Sequence, residues 1–182
     1  MSANEQIAVE RFGSGQAILL LAGGAGPELI WDRQMELAER WSLIIPTRKE
    51  ADAEDVARLL TKRTHLVGFS YGGLGVTLAA EQDPRMVRSL TLVETPADFV
   101  REHAGDLDAL ATAGIPIMLI SSGRDREIEA LSDEIANRLR ARREVLRGEE
   151  GDDDTLPRTP GFNDVLEDFL RGSAGTARFR TA

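Results

Sequence analysis

Short runs that are apolar at every position alternate along this chain with longer stretches whose apolar residues recur at helical spacing. The first such run, AILLLA at 17–22, reads as a strand buried on both faces, as in a parallel sheet covered on each side. IAVERF at 7–12 predicts an edge strand before it, with Gly13 to Gly15 as the turn. After it, PELIWDRQMELAERW puts Ile30, Met35, Leu37 and Trp41 on one helical side and predicts a helix. The alternation continues with a strand at 42–46, a helix at 52–63, a strand at 65–70 and a helix from Tyr71 to the stop at Pro84. A strand at 88–94, a helix within 98–114, a strand at 116–122, a helix at 126–142, an edge strand at 143–148 and a closing helix at 161–172 complete the pattern. Strand and helix alternating throughout predict an α/β fold: a mainly parallel central sheet of about seven strands with helices on both faces. Residues 1–172 read as one domain and 173–182 as a flexible tail.

Composition narrows the partners. The chain has 182 residues, 42% of them hydrophobic, enough for one core without staples. A formal net charge of −9 disfavours nucleic acid and anionic membrane surfaces, which such a field repels, and leaves a small-molecule substrate as the expected partner. With no cysteine, disulfides and thiolate metal sites are excluded. The polar start MSANEQIAVERFG and the shortness of AILLLA predict neither a signal peptide nor a membrane span, and a cytoplasmic location is the expectation.

In a sheet of this kind ligands bind beyond the carboxyl ends of the strands, so the residues that follow each strand carry the chemistry. They are the glycine-rich AGGAGP after the first buried strand, Ser70 after the central one, Glu94 and Thr95 after the next, then Gly123 and Asp125, then the acidic loop 148–161. Glu94 ends a buried strand, where desolvation suits a carboxylate to acid or base work. Asp125 equally suits the N-cap of the helix starting at Arg126. The acidic run Glu149 to Asp154 lacks the spacing of a calcium loop, so neither a metal nor another cofactor is expected.

GFSYGG at 68–73 resembles the nucleophile elbow of the α/β-hydrolase superfamily, G-x-S-x-G between strand and helix. The resemblance implies that Ser70 is the nucleophile and that the amides of Tyr71 and of the Gly23–Gly24 loop stabilise an oxyanion. LLLAGGAGPELIWDRQMELAERW is similar to the family's first buried strand, oxyanion loop and following helix, with Trp31 near the substrate. PIMLISSGRDREI is similar to the strand and turn that deliver the triad acid, which implies that role for Asp125. PGFNDVLEDFL resembles the closing helix.

The chain departs from that pattern at the base. The usual histidine position falls near Asp152, and no histidine is there. His65 begins the strand that ends at Ser70, roughly 16 Å away at about 3.3 Å per residue, and is expected to have a surface role. His103 is the one imidazole that a folded-over helix could bring to Ser70. Seventeen residues separate LTLVETP from GIPIMLI, too few for a helical lid, so the site is expected to be open, or covered by a second copy or a partner. Three readings stay open: a serine-type hydrolase or acyl-transfer enzyme with an incomplete triad acting on a small ester, thioester or lactone; a non-hydrolytic cyclase, isomerase or lyase using Glu94 or Asp125; and an inactive binding subunit.

Overall fold

The computed structural model describes residues 7–24, 26–47, 53–96, 102, 107–148 and 155–174. Strands β1 (Val9–Phe12), β2 (Gln16–Ala22), β3 (Trp41–Pro46), β4 (Thr64–Phe69), β5 (Val87–Val93), β6 (Ile117–Ser121) and β7 (Arg142–Val145) form a sheet in the order β1-β3-β2-β4-β5-β6-β7. β1 pairs antiparallel with β3, and every other pairing is parallel. The helices are α1 (Pro27–Ile30), α2 (Ala53–Leu59), α3 (Gly72–Gln82), α4 (Leu107–Thr112), α5 (Arg126–Leu139) and α6 (Phe162–Ala174).

The central strands are apolar on both faces because both are covered. Leu19 and Leu21 of β2 pack with Val56 of α2, Val76 of α3 and other side chains of one core cluster. Ile18 and Leu20 enter the opposite cluster with Trp31, Trp41, Phe162 and Leu166. Each of these four strand residues is at most 1% exposed, and withdrawing such a side chain from water stabilises the fold by about 2 kcal/mol.

The expected helix over 27–41 is broken in two. Proline at its first position starts α1, the chain leaves helical geometry at Trp31, and Asp32 caps a 3-10 segment, Arg33–Glu39, by accepting from the Arg33 amide. Trp31, 1% exposed, sits at this break with its ring edge-on to Phe69, centroids 6.4 Å apart. Burying the indole against β4 takes precedence over continuing the helix, and Trp41 opens β3 instead of closing a helix. The edge strand β7 spans Arg142–Val145, after α5 ends with Arg140 in the left-handed region at φ 53°. α6 continues past Gly172 to Ala174, with Ser173 buried and its hydroxyl donated to the Phe169 carbonyl. No helix among the described residues is long and apolar enough to cross a membrane.

Candidate functional site

Parallel strands place their carboxyl ends on one edge, and β2, β4, β5 and β6 are followed there by Gly23, Ser70, Glu94 and Ser122. Ser70 has φ 52°, a left-handed conformation that costs a residue bearing Cβ roughly 1–2 kcal/mol. Two backbone bonds hold it: the Ser70 amide donates to the Val93 carbonyl at 2.9 Å, and the Gly73 amide donates to the Ser70 carbonyl at 3.0 Å. The chain therefore turns from strand into α3 across two residues, Ser70 and Tyr71. The Ser70 side chain is left half-buried, and its hydroxyl has no hydrogen-bond partner among the described residues.

Close packing fixes the surroundings of this turn. A Cβ on Gly73 would lie 2.0 Å from Thr95 Oγ1, so the missing side chain lets α3 press onto the end of β5. A Cβ on Gly23 would lie 2.5 Å from Tyr71 Cβ, which puts the glycine-rich loop directly against the turn. The Gly23 amide donates to the Phe69 carbonyl at 3.2 Å and is committed there. Gly24, at φ 87°, has nothing within 4 Å of the side chain it lacks, and so leaves open backbone one residue beyond the contact of Gly23 with Tyr71. Tyr71 is 57% exposed, whereas Trp31 is a core residue whose Nε1 has no hydrogen-bond partner.

Glu94 matches Ser70 on the neighbouring strand. Phe69 and Val93 are paired in register, so the two following residues stand one strand spacing apart, about 4.8 Å. Glu94 also has a left-handed φ, 46°, with its amide donating to the Ile120 carbonyl at 2.9 Å. Its carboxylate leans toward β6 and accepts from the Ser122 amide. Asp125 is exposed and its Oδ1 accepts from the amides of Glu127 and Ile128, at 2.8 and 3.1 Å, capping α5.

One participant has no motif to announce it. Glu129 reaches back from the first turn of α5: its Oε1 accepts from the Gly123 amide at 3.1 Å, and its Oε2 accepts from the Ser121 hydroxyl at 2.7 Å and from the Arg143 guanidinium. Nothing in the sequence signals it, because its partners Ser121 and Arg143 are distant along the chain.

His65 is not at the surface. It is fully buried at the opposite edge of the sheet, with Nδ1 2.8 Å from the Ser89 hydroxyl and Nε2 3.3 Å from Gln16 Oε1. Burial, with help from Arg88 and Arg63, lowers its pKa to about 4, so the ring is neutral at pH 7. Trp41, edge-on to the ring at 5.6 Å, covers it. His103 and the loop around Asp152 lie outside the described residues. Among the described residues no cluster suited to a metal ion occurs. A shallow depression of about 240 Å³ between the 3-10 segment and the start of α6, lined by Arg33, Pro157 and Asn163 among others, does not include Ser70.

A chain that threads a mostly parallel sheet in this order, and leaves its central strand through a left-handed serine, has the α/β-hydrolase fold. Residues 50–129 match the sequence model of the alpha/beta hydrolase fold. Among individual proteins, the chain is 29% identical over 130 residues to a pimeloyl-[acyl-carrier protein] methyl ester esterase of Aeromonas hydrophila, with 62% of this chain and 51% of the relative covered. The chain spans about half the length of the curated relatives it matches. Its fold is shared with a carboxylesterase structure from Nitrososphaera gargenis, at TM-score 0.73 and 14% identity over 96% of this chain and 98% of that one. An alpha/beta hydrolase from Sphaerobacter thermophilus gives TM-score 0.71 and 17% identity, covering 90% of this chain and 96% of that one.

Proposed function

We propose that the chain is a serine-type hydrolase or acyl-transfer enzyme acting on a small ester, thioester or lactone, with Ser70 as nucleophile. The observation that carries this reading is the left-handed Ser70 turn, whose hydroxyl has no partner among the described residues and whose following residue, Tyr71, packs against the glycine-rich loop at Gly23. In this reaction Ser70 Oγ attacks the carbonyl carbon while a base takes its proton, and the proton then passes to the leaving alcohol, thiol or lactone oxygen. The negative charge that develops on the carbonyl oxygen lies against the amides of Tyr71 and Gly24. Water, or an acceptor alcohol, then releases the acyl group from Ser70. His103 is the base in this scheme, and Glu94 or Asp125 is the carboxylate that orients it. The named activity of the Aeromonas relative, methyl ester hydrolysis, is of the same class. The net charge of −9 favours a small neutral ester over a polyanionic one.

A second reading has its own support in Glu94, which shares the left-handed backbone and the edge position of Ser70. In a non-hydrolytic enzyme Glu94 would move a proton and Ser70 would only hydrogen-bond the substrate, so turnover would survive Ser70→Ala.

The experiment is the reaction of the purified protein with a fluorophosphonate probe, followed by mass. Stoichiometric labelling that disappears in Ser70→Ala and falls steeply in His103→Ala supports the first reading. In established serine triads, loss of nucleophile or base costs on the order of 10⁶-fold in turnover. Wild-type labelling no faster than that of Ser70→Ala would reject it and direct attention to Glu94 chemistry, or to an inactive binding subunit if no turnover is found.

A further inference from the structure

Three carboxylates converge on one turn. Backbone amides of the segment that follows β6 donate to Glu94 from Ser122, to Glu129 from Gly123, and to Asp125 from Glu127 and Ile128. Two of these carboxylates, Glu94 and Asp125, are the ones the sequence singles out. Glu129 belongs to the same site, but its surroundings differ in kind. Among the described residues it is the one of the three with a cation bound to it, Arg143, whose Nη2 donates both to Glu129 and to the Ser121 hydroxyl, the latter at 2.7 Å. Arg143 also donates through Nε to Asp133 at 3.0 Å. The Arg143 and Glu129 side chains are 17% and 21% exposed, and Ser121 is 1% exposed.

We infer that Glu129, held by Arg143 and Ser121, is a positioning residue that sets the β6–α5 turn and thereby places the carboxylates of Glu94 and Asp125 relative to Ser70. This inference rests on the hydrolase reading of Ser70. Packing of α5 onto the sheet does not require Glu129, because Ile135, Ala136 and Leu139 bury that helix in the core. What Glu129 adds is a grip on the turn itself: one oxygen holds Gly123, and the other ties the end of β6 to β7. Ser122, whose amide holds the Glu94 carboxylate, lies between the two anchored residues Ser121 and Gly123. Gly123 has φ 74°, a region glycine enters without steric cost, so its own backbone does not confine the turn and contacts from outside hold it. The chain of contacts then runs from Arg143 through Glu129 and the turn to Glu94, whose strand neighbour is Ser70.

The test is the rate of fluorophosphonate labelling at Ser70, resolved into probe affinity and maximal rate, with melting temperature measured alongside. Glu129→Ala is expected to lower the maximal rate by about tenfold to a hundredfold with probe affinity little changed, the loss expected when reacting groups are misplaced by about 1 Å. Glu129→Gln, which keeps an oxygen for the Gly123 amide, is expected to recover most of that rate. The decisive readout is coupling. In a Glu94→Gln, Asp125→Asn background neither ionised carboxylate remains to be placed, and Glu129→Ala is expected to slow labelling no further. Equal slowing in both backgrounds, or none in either, would overturn the inference while wild-type labelling still upheld the hydrolase reading. If Glu129→Ala does not fold, the same coupling measured with Arg143→Ala, which releases the Glu129 carboxylate from β7, decides the matter by the same criterion. A wild type as unreactive as Ser70→Ala would remove the hydrolase reading and this inference together.

Discussion

The two edges of the sheet each hold a serine, and only one of them has the makings of a site. At the amino edge Ser89 has what a nucleophile is usually said to need: a histidine, His65, at 2.8 Å, with Gln16 on the far ring nitrogen. Both Ser89 and His65 are fully buried, they are paired across adjacent strands, and each satisfies the other. Trp41 covers the ring and donates at 2.9 Å to Glu167, which also takes Arg40 at 2.8 Å and Arg171 at 2.9 Å. At the carboxyl edge Ser70 has no imidazole among the described residues, yet it is half-exposed, left-handed and unpartnered. Residue pairs that look catalytic can be structural, and the distinguishing features are unspent polar groups, solvent access and backbone strain that the surroundings maintain.

The sharpest way to break this comparison is to exchange the two serines as targets. Ser70→Ala is expected to abolish probe labelling, and Ser89→Ala to leave its rate unchanged while lowering stability. Labelling lost in Ser89→Ala at an unchanged fold would place the chemistry at the wrong edge.

Acid provides a second test. Because the His65 pKa is lowered to about 4 from 6.5, the unfolded chain binds more protons than the folded one between those values. Stability is therefore complete above about pH 6.5 and falls as the pH drops toward 4, by roughly 3 kcal/mol at about 1.36 kcal/mol per unit. Glu167 works in the next window down: the hydrogen bond from Arg40, helped by Trp41 and Arg171, lowers its pKa from 4.5 to about 2. Its contribution is present above pH 4.5 and is lost as the pH falls toward 2. Urea denaturation from pH 7 to pH 4 should show the first loss, and His65→Leu should flatten it at the cost of an unpartnered Ser89 hydroxyl. A wild-type stability independent of pH over that range would mean that His65 is not the buried neutral group described here.

Much of this was legible beforehand, and the misses share a cause. Nearly uninterrupted apolar runs marked β2 and β6, and the apolar end of β4, because a strand covered on both faces has few polar positions to disguise it. The G-x-S-x-G pattern marked Ser70, since small residues are what the close approach of α3 requires. The 27–41 segment misled because Ile30, Leu37 and Trp41 have helical spacing, but burial of Trp31 against Phe69 breaks the helix between them. His65 misled because a residue at a strand end is usually wet, and the ring of Trp41 that covers it comes from a strand start 24 positions earlier. Glu94 was legible as a position, but not as a left-handed residue, for which glutamate carries no signal. Glu129 was invisible because its contacts with Ser121 and Arg143 span 8 and 14 residues and depend on β6 and β7 being neighbours.

Two smaller substitutions sharpen the contrast between the edges. Gly73→Ala would set a methyl group 2.0 Å from Thr95 Oγ1, against a residue that is buried and has little room to move. Overpacking of this kind costs about 1–3 kcal/mol, and relief by shifting α3 would also move Ser70, so both the melting temperature and the labelling rate should fall. Glu167→Gln acts at the other edge. It weakens the bonds to Arg40, Arg171 and the Trp41 indole on a surface where solvent screens the charges. The melting temperature is expected to fall by about 2–4 °C, the shift that about 1 kcal/mol produces in a chain of this size. The labelling rate of Ser70 should stay at the wild-type value, because Glu167 touches neither the turn after β6 nor the elbow. If Glu167→Gln slows labelling as much as Gly73→Ala does, the two edges are mechanically coupled through the sheet, and strain at Ser70 is not maintained by its own surroundings alone.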